Sequence, residues 1–503
     1  MELGGHIMVD QNTLTFEELM TLAKKSRDFS QIENRVNETK VLISYFSTLV
    51  NHELMQTSFL SNLNVKDENL KIKSLKDLQE LLPLSEMSIT KDLSEIENKL
   101  YKGQLIVQIE NDTSEFLLIN INSCQTGLRQ FNDSENEFSV VGPKMGFVED
   151  IDTNMNLLRR KINSPKLVIE EILIGSLSKT RVMIVYMDGI TSEQHINTVR
   201  ERLADIDIDI VWDTSLLDQV IRDNQNTPFP LYLSTERIDR ITYTIVSGQI
   251  AIFSDGTPYA ISGPSTLFDF FISPEDYYLN WVLGSFFRFI RIMGVFFSIF
   301  TSSIYVAVLT FHYEVIPKDL LGPLIESRAN VPFPPILEVI FLELTIELLR
   351  EAGARLPTKV GQTLGIVGGI VIGQAAVAAA LTSNILLIIV ALSALSSFTT
   401  PIFVMSNTIR VLRFVFIILA SFLGGLGIIL GFVFLLAHLF RLKSFGTPYL
   451  VPLYPFRRNA LADSFIRSSF KFINKRPEYL RPRDPLKYGV KKKKKTKGDL
   501  SDE

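Results

Sequence analysis

From Gly361 to Ile409 the chain runs for 49 residues without Asp, Glu, Lys, Arg or His. A bilayer core about 30 Å thick takes roughly 20 apolar residues per helix. The run therefore predicts two membrane spans, about 361–381 and 385–404, on either side of the polar break Thr382–Asn384. Ile292–Phe311 predicts an earlier span and Phe414–Ala437 a last one. Backbone groups in lipid must bond to one another, so each span is expected to be a helix. Residues 335–357 are apolar enough to touch lipid, yet they carry Glu338, Glu343, Glu347, Arg350 and Glu351. A lipid-exposed span with that charge is costly, which predicts a re-entrant or interfacial helix.

Ahead of these spans the pattern changes. Gln104–Ile109, Phe116–Ile121, Arg181–Met187 and Gln249–Phe253 are short apolar runs of strand length. Helix-favouring polar segments lie between them, at Val36–Leu60, Asp152–Lys161, Ser192–Ala204 and Thr235–Ser247. Asn111–Glu115 and Phe131–Glu137 are rich in turn formers. The predicted fold is an α/β cytoplasmic N-terminal region in two lobes, followed by an α-helical polytopic membrane domain. Its divisions are a flexible arm (1–30), a first lobe (31–135), a second lobe (136–285), the membrane domain (286–440) and a basic tail (441–503).

Charge sets the orientation. The net charge is −4, but Arg441–Glu503 holds 17 Lys+Arg against 6 Asp+Glu, or +11, leaving −15 for the rest. An acidic body argues against nucleic acid as a partner. Arg288 and Arg291 stand just before the first span, and a basic segment follows the last, so both termini are expected on the cytoplasmic side of an anionic bilayer.

The first half of the charge-free run carries Gly361, Gly365, Gly369 and Gly373, spaced four apart on one helix face, with Gln362, Thr363 and Gln374 nearby and Asn384 further on. Such a face either packs against a neighbouring helix or lines a wet path, since polar groups at membrane depth turn toward protein or water. Glu338, Glu343 and Glu347 offer an acidic vestibule at the mouth of such a path, and an amphipathic surface helix with internal ion pairs is the other reading. The glycines of Gly424–Gly431 mimic a dinucleotide fingerprint, but with no strand ahead of them they read as packing. The single cysteine, Cys124, allows no internal disulfide, and the five histidines show no metal-ligand spacing. Nucleophile elbow and P-loop spacings are missing too, so no enzyme activity, metal or cofactor is expected.

Seven phrases, in order, carry a family resemblance: VGPKMGFVEDIDTNMNLLRRKI (Val141–Ile162), KTRVMIVYMDGI (Lys179–Ile190), PFPLYLSTERIDR (Pro228–Arg240), SDGTPYAI (Ser254–Ile261), SPEDYY (Ser273–Tyr278), LLREAGARLP (Leu348–Pro357) and FGTPYLVP (Phe445–Pro452). The chain resembles the A subunit of the GerA-type spore germination receptors. The resemblance implies a place in the spore inner membrane beside separate B and C subunits. It further implies a nutrient germinant bound mainly by the B subunit, and an A subunit that assembles as a homo-oligomer conducting ions. A secondary transporter and a scaffold subunit without a pore are the alternative functions.

Overall fold

The computed structural model describes residues 15–36, 39–63, 74–84, 87–109, 112–121, 137, 141–355, 358–457, 461, 463–469 and 474–487, with side-chain surroundings left out for 112–114 and 358–367.

The first lobe is a five-stranded antiparallel sheet. Its strands are β1 (Phe29–Val36), β2 (Thr39–Phe46), β3 (Met87–Thr90), β4 (Gln104–Ile109) and β5 (Asp112–Asn120), in spatial order β1-β2-β4-β5-β3. Helix α1 (Phe16–Ala23) opens with a capping box between Thr15 and Glu18 and buries Leu19, Met20 and Ala23 with Phe46, Leu49 and Ile106. From Thr15 onward, the segment expected as a free arm is thus part of the lobe core. Two further expectations change here. Val36–Leu60 supplies β2 before it turns helical, because β-branched and aromatic side chains in TKVLISYF pair with β1 and β4. Asn111–Glu115 is no linker within its described part, since β5 starts at Asp112. The expected lobe boundary, at 135/136, lies outside the described residues.

The second lobe repeats the design. Strands β6 (Leu167–Ile174), β7 (Thr180–Met187), β8 (Leu233–Thr235), β9 (Ile250–Ser254) and β10 (Ala260–Gly263) form an antiparallel sheet in the order β6-β7-β9-β10-β8. Helices α2 (Ile151–Lys161) and α3 (Ile238–Ser247) cover one face through Ile151, Met155, Leu158, Ile241 and Ile245. Helix α4 (Glu193–Ala204) covers the other through Ile196, Val199 and Leu203. With both faces covered, the central strands β7 and β9 are almost continuously apolar, which makes them legible as runs.

A bundle of six long helices follows: α5 (Trp281–Phe311), α6 (Pro335–Arg355), α7 (Thr358–Ala378), α8 (Asn384–Ser397), α9 (Phe403–Leu423) and α10 (Gly425–Arg441). They pass along the bundle in alternating directions. Glu343 on α6 lies beside Ser302 on α5, and Ser393 on α8 donates to the carbonyl of Ser298 at 3.1 Å. Gly424, after α9, abuts Phe311 at the far end of α5. Helix α10 then returns to the second lobe, where Leu442, Tyr449 and Leu450 share a core with Phe229 and Leu231. Among the described residues, helices α5 and α9 have the length and apolarity to cross a membrane. Gly368–Ala378, Asn384–Ser397 and Gly425–Arg441 are shorter apolar helical stretches.

Residues 335–357 contribute a helix, Pro335–Arg355, with Val339 and Leu342 buried beside Tyr305 and Val306. Two helix boundaries differ from expectation. The span at 385–404 stops at Ser397 ahead of Pro401, whose ring disfavours helix in the residue before it. The span at 414–437 is two helices. The chain reverses at Gly424, whose φ of 60° and ψ of −137° strain any residue with a Cβ. A Cβ on Gly427 would stand 2.1 Å from the carbonyl oxygen of Leu419, so the two helices meet backbone to backbone. Gly427→Ala is accordingly expected to spread this hairpin and destabilise the bundle by about 3 kcal/mol. The check is a lower thermal midpoint of the detergent-extracted protein. An unshifted midpoint contradicts the close packing.

The basic tail is likewise structured over its described part. Strands β11 (Lys443–Ser444) and β12 (Thr447–Pro448) form a ribbon that places Phe445 against Tyr232, with ring centroids 4.3 Å apart. Further on, Leu480 is buried and Arg476 donates to the carbonyl of Val246 at the end of α3. The lysine run 491–497 lies outside the described residues.

Candidate functional site

The bundle turns its polar groups inward. Helix α5 buries Ser298, Ser302 and Ser303 and exposes Phe296, Phe297 and Ile304. A bundle bathed in water shows the reverse; one bathed in lipid buries its polar groups against protein.

Two buried layers result. In the first, Ser302 Oγ donates to Glu343 Oε1 at 2.7 Å, and Arg413 Nη1 donates to Glu343 Oε2 at 2.5 Å. The Glu343 and Arg413 side chains are each 1% exposed. In the second, Arg328 Nη2 donates to Glu338 Oε1 at 2.7 Å and the Ser383 N–H to Glu338 Oε2 at 3.3 Å. Ser383 also caps α8 through the N–H of Leu386 and meets the Tyr305 hydroxyl at 3.3 Å. Glu347 pairs with Arg350 on its own helix. Glu338, Glu343 and Glu347, expected to form an acidic vestibule, each meet an arginine in this chain. Two of the carboxylates point into the bundle. A low-dielectric interior demands such pairing. Arg410 and Arg413, charges in an otherwise apolar stretch, were the signal that could have exposed this layer.

The glycine face behaves differently. Gly361, Gln362 and Gly365 lie on α7, but their surroundings fall outside the described residues. A Cβ on Gly369 would meet nothing within 4 Å, and one on Gly373 would make only ordinary contact with Leu387, at 3.6 Å. Gln374 is exposed, as is Asn384, the first residue of α8. Gly368 faces Leu349 on α6, and Ala376 is the buried residue among the described residues of α7. Within one chain, then, α7 is covered on its α6 side and open along Gly369, Ile370, Val371 and Gln374.

The foot of the bundle is an ionic knot. Arg288 is fully buried and binds Asp276 at 3.1 Å and Asp463 at 3.2 Å. Arg291 pairs with Asp276 and donates to the carbonyl of Phe271 at 2.8 Å. Both arginines, expected as a positive flank, are paired: Arg288 ties α5 to the C-terminal segment, and Arg291 ties it to the segment that leads into it. Asp463 stands 175 residues from Arg288.

Residues 17–479 match the family described as Bacillus/Clostridium GerA spore germination protein. This chain belongs to the GerA family. Spore germination protein GerQA of Bacillus cereus is 46% identical to it over 488 residues, 97% of each chain. The membrane protein YfkQ of Bacillus subtilis (strain 168) is 35% identical over 400 residues, 80% of this chain and 77% of its own. The crystal structure of the N-terminal domain of the A subunit of the Bacillus megaterium spore germinant receptor GerK3 is 26% identical, covering 51% of this chain and 96% of that one with a TM-score of 0.38. This GerA chain thus combines two α/β lobes with a helical bundle that buries the Glu343–Arg413 pair and leaves one face of α7 uncovered.

Proposed function

We propose that this chain is the membrane subunit of a nutrient-responsive germination receptor and that a ring of its copies encloses a path for monovalent cations lined by α7. The carrying observation is the uncovered face of α7, with Gly369 open and Gln374 exposed. Residues proposed to line or gate the path are Gly361, Gln362, Gly365, Gly369, Gly373, Gln374 and Asn384. Glycines let backbones from neighbouring copies approach, and the amides supply oxygen to a partly dehydrated ion. The arginine-paired Glu338 and Glu343 hold the scaffold against which α7 moves.

The chain sits in the spore inner membrane with both ends cytoplasmic, beside B and C subunits. The B subunit takes up most of the nutrient recognition. A nutrient opens the path only by binding the open arrangement more tightly than the closed one. Gly369→Leu fills the open face. Spores with normal amounts of folded mutant receptor are expected to release ions severalfold more slowly after nutrient addition. Release at the wild-type rate rules out a lining role for α7.

A further inference from the structure

The Glu343 layer has an unfilled counterpart one helical turn nearer the foot of the bundle. Glu343 on α6 takes Ser302 from α5 and Arg413 from α9. On the side away from the foot, Val339 and Leu342 of α6 share a core with Ile417 and Ala420 of α9, so these two helices run in opposite directions. Toward the foot, the positions that repeat the layer are Ser298 on α5, Glu347 on α6 and Arg410 on α9. Four residues along α5 or α6 and three along α9 amount to about 6 and 4.5 Å at roughly 1.5 Å per residue, which puts the three at one level. Residues three or four apart also share a helix face.

Two members of this second layer are bare. Arg410 is 4% exposed, its Nε and Nη2 are buried without a hydrogen-bond partner, and among the described residues it has no ion pair. Ser298 Oγ is likewise buried and unpartnered. The third member is turned aside. Glu347 pairs with Arg350 on its own helix, where the two side chains are 22% and 30% exposed. An ion pair that wet is weak. A guanidinium buried among apolar helices with no counter-ion is costly. Arg350 keeps water if it loses its partner, whereas Arg410 has none to fall back on. Charge therefore favours a carboxylate in the empty layer, and Glu347 is the acid whose position repeats that of Glu343.

We infer that Glu347 exchanges between two arginines, Arg350 on its own helix and Arg410 across the bundle, and that this gives the part of α6 nearest the foot two positions. In the second position Ser298 and Arg410 hold Glu347 as Ser302 and Arg413 hold Glu343. The exchange reaches α7 through Leu349, which lies between Glu347 and Arg350 in sequence. A Cβ on Gly368 would stand 3.2 Å from Leu349 Cδ2, so a turn of this part of α6 carries α7 with it. The link to gating rests on the cation path proposed for α7; the exchange does not.

A mutant cycle on the full chain in detergent tests the exchange. Glu347 needs one arginine and either serves, so Arg350→Met and Arg410→Met are each expected to lower the thermal midpoint little or not at all. The double variant strands the carboxylate, and its midpoint should fall by clearly more than the sum of the two single shifts. Glu347→Gln added to the double variant should restore it. A double shift equal to that sum, or no rescue by Glu347→Gln, overturns the exchange. Gating is read in spores without nutrient, at matched receptor abundance. The two single variants bias α6 toward opposite positions, so one of them is expected to raise nutrient-free germination severalfold while the other stays at the wild-type level. Equal germination by both overturns the switch. Neither readout involves Gly369, so a Gly369→Leu result that rules out the α7 path leaves the mutant cycle standing.

Discussion

Arg413→Met is expected to be the most damaging single substitution in the bundle. It leaves the Glu343 carboxylate buried with only the Ser302 hydroxyl for company. Removing one partner of a buried ion pair costs about 3–5 kcal/mol, because the remaining charge has neither water nor counter-ion. Helices α5, α6 and α9 all meet at this point, so the loss spreads through the bundle. The expected readout is a large drop in thermal midpoint and in the amount of full-length receptor recovered from membranes. Glu343→Gln in the same chain should restore most of it, because the pair is then removed rather than broken. If Arg413→Met alone leaves midpoint and abundance unchanged, the buried pair does not hold these helices together.

The second large effect is expected at the joint between the two α/β lobes. Arg159 on α2 grips Asp28 with Nε at 2.6 Å and Nη2 at 2.7 Å, and Nη2 also donates to Ser26 at 2.8 Å. The guanidinium sits 4.1 Å from the Phe46 ring centroid, and Thr48 donates to the same aspartate at 2.8 Å. The pair is buried at both ends, with Arg159 1% and Asp28 3% exposed. Arg159→Met preserves the bulk and removes the charge, stranding Asp28 at a cost of about 3–5 kcal/mol. The Arg27 N–H, which donates to the carbonyl of Ile169 on β6, is expected to loosen with it. Hydrogen exchange on the full chain should show faster exchange confined to the facing surfaces, around residues 24–30 and 151–161, with the sheet interiors protected. Unchanged protection there means the lobes are held by something other than this contact.

Which features were legible depends on whether their cause is local. Strands β4, β7 and β9 announce themselves because residues on both of their faces are buried, which makes their central stretches apolar. Helices α2 and α4 follow from spacing and from polar residues at Asp150 and Ser192 that open them. Strand β2 was hidden because its neighbours resemble helix and its partners, β1 and β4, supply the reason for strand. The reversal at Gly424 was visible only as a pair of glycines inside an apolar run. Hydropathy cannot tell one long helix from two short ones meeting in a hairpin.

The candidate site divides the same way. The charge-free run, its glycine spacing and the family phrases lie in the order of residues, and they give apolar helices and membership of the GerA family. Which face of α7 stays open, and where each carboxylate points, were decided by packing. Glu343 meets Arg413 across 70 residues, and Arg288 meets Asp463 across 175. Periodicity reports how a segment treats its surroundings on average. It carries nothing about which distant charge completes a pair, because that choice is made only when the helices come together and exclude solvent from between them.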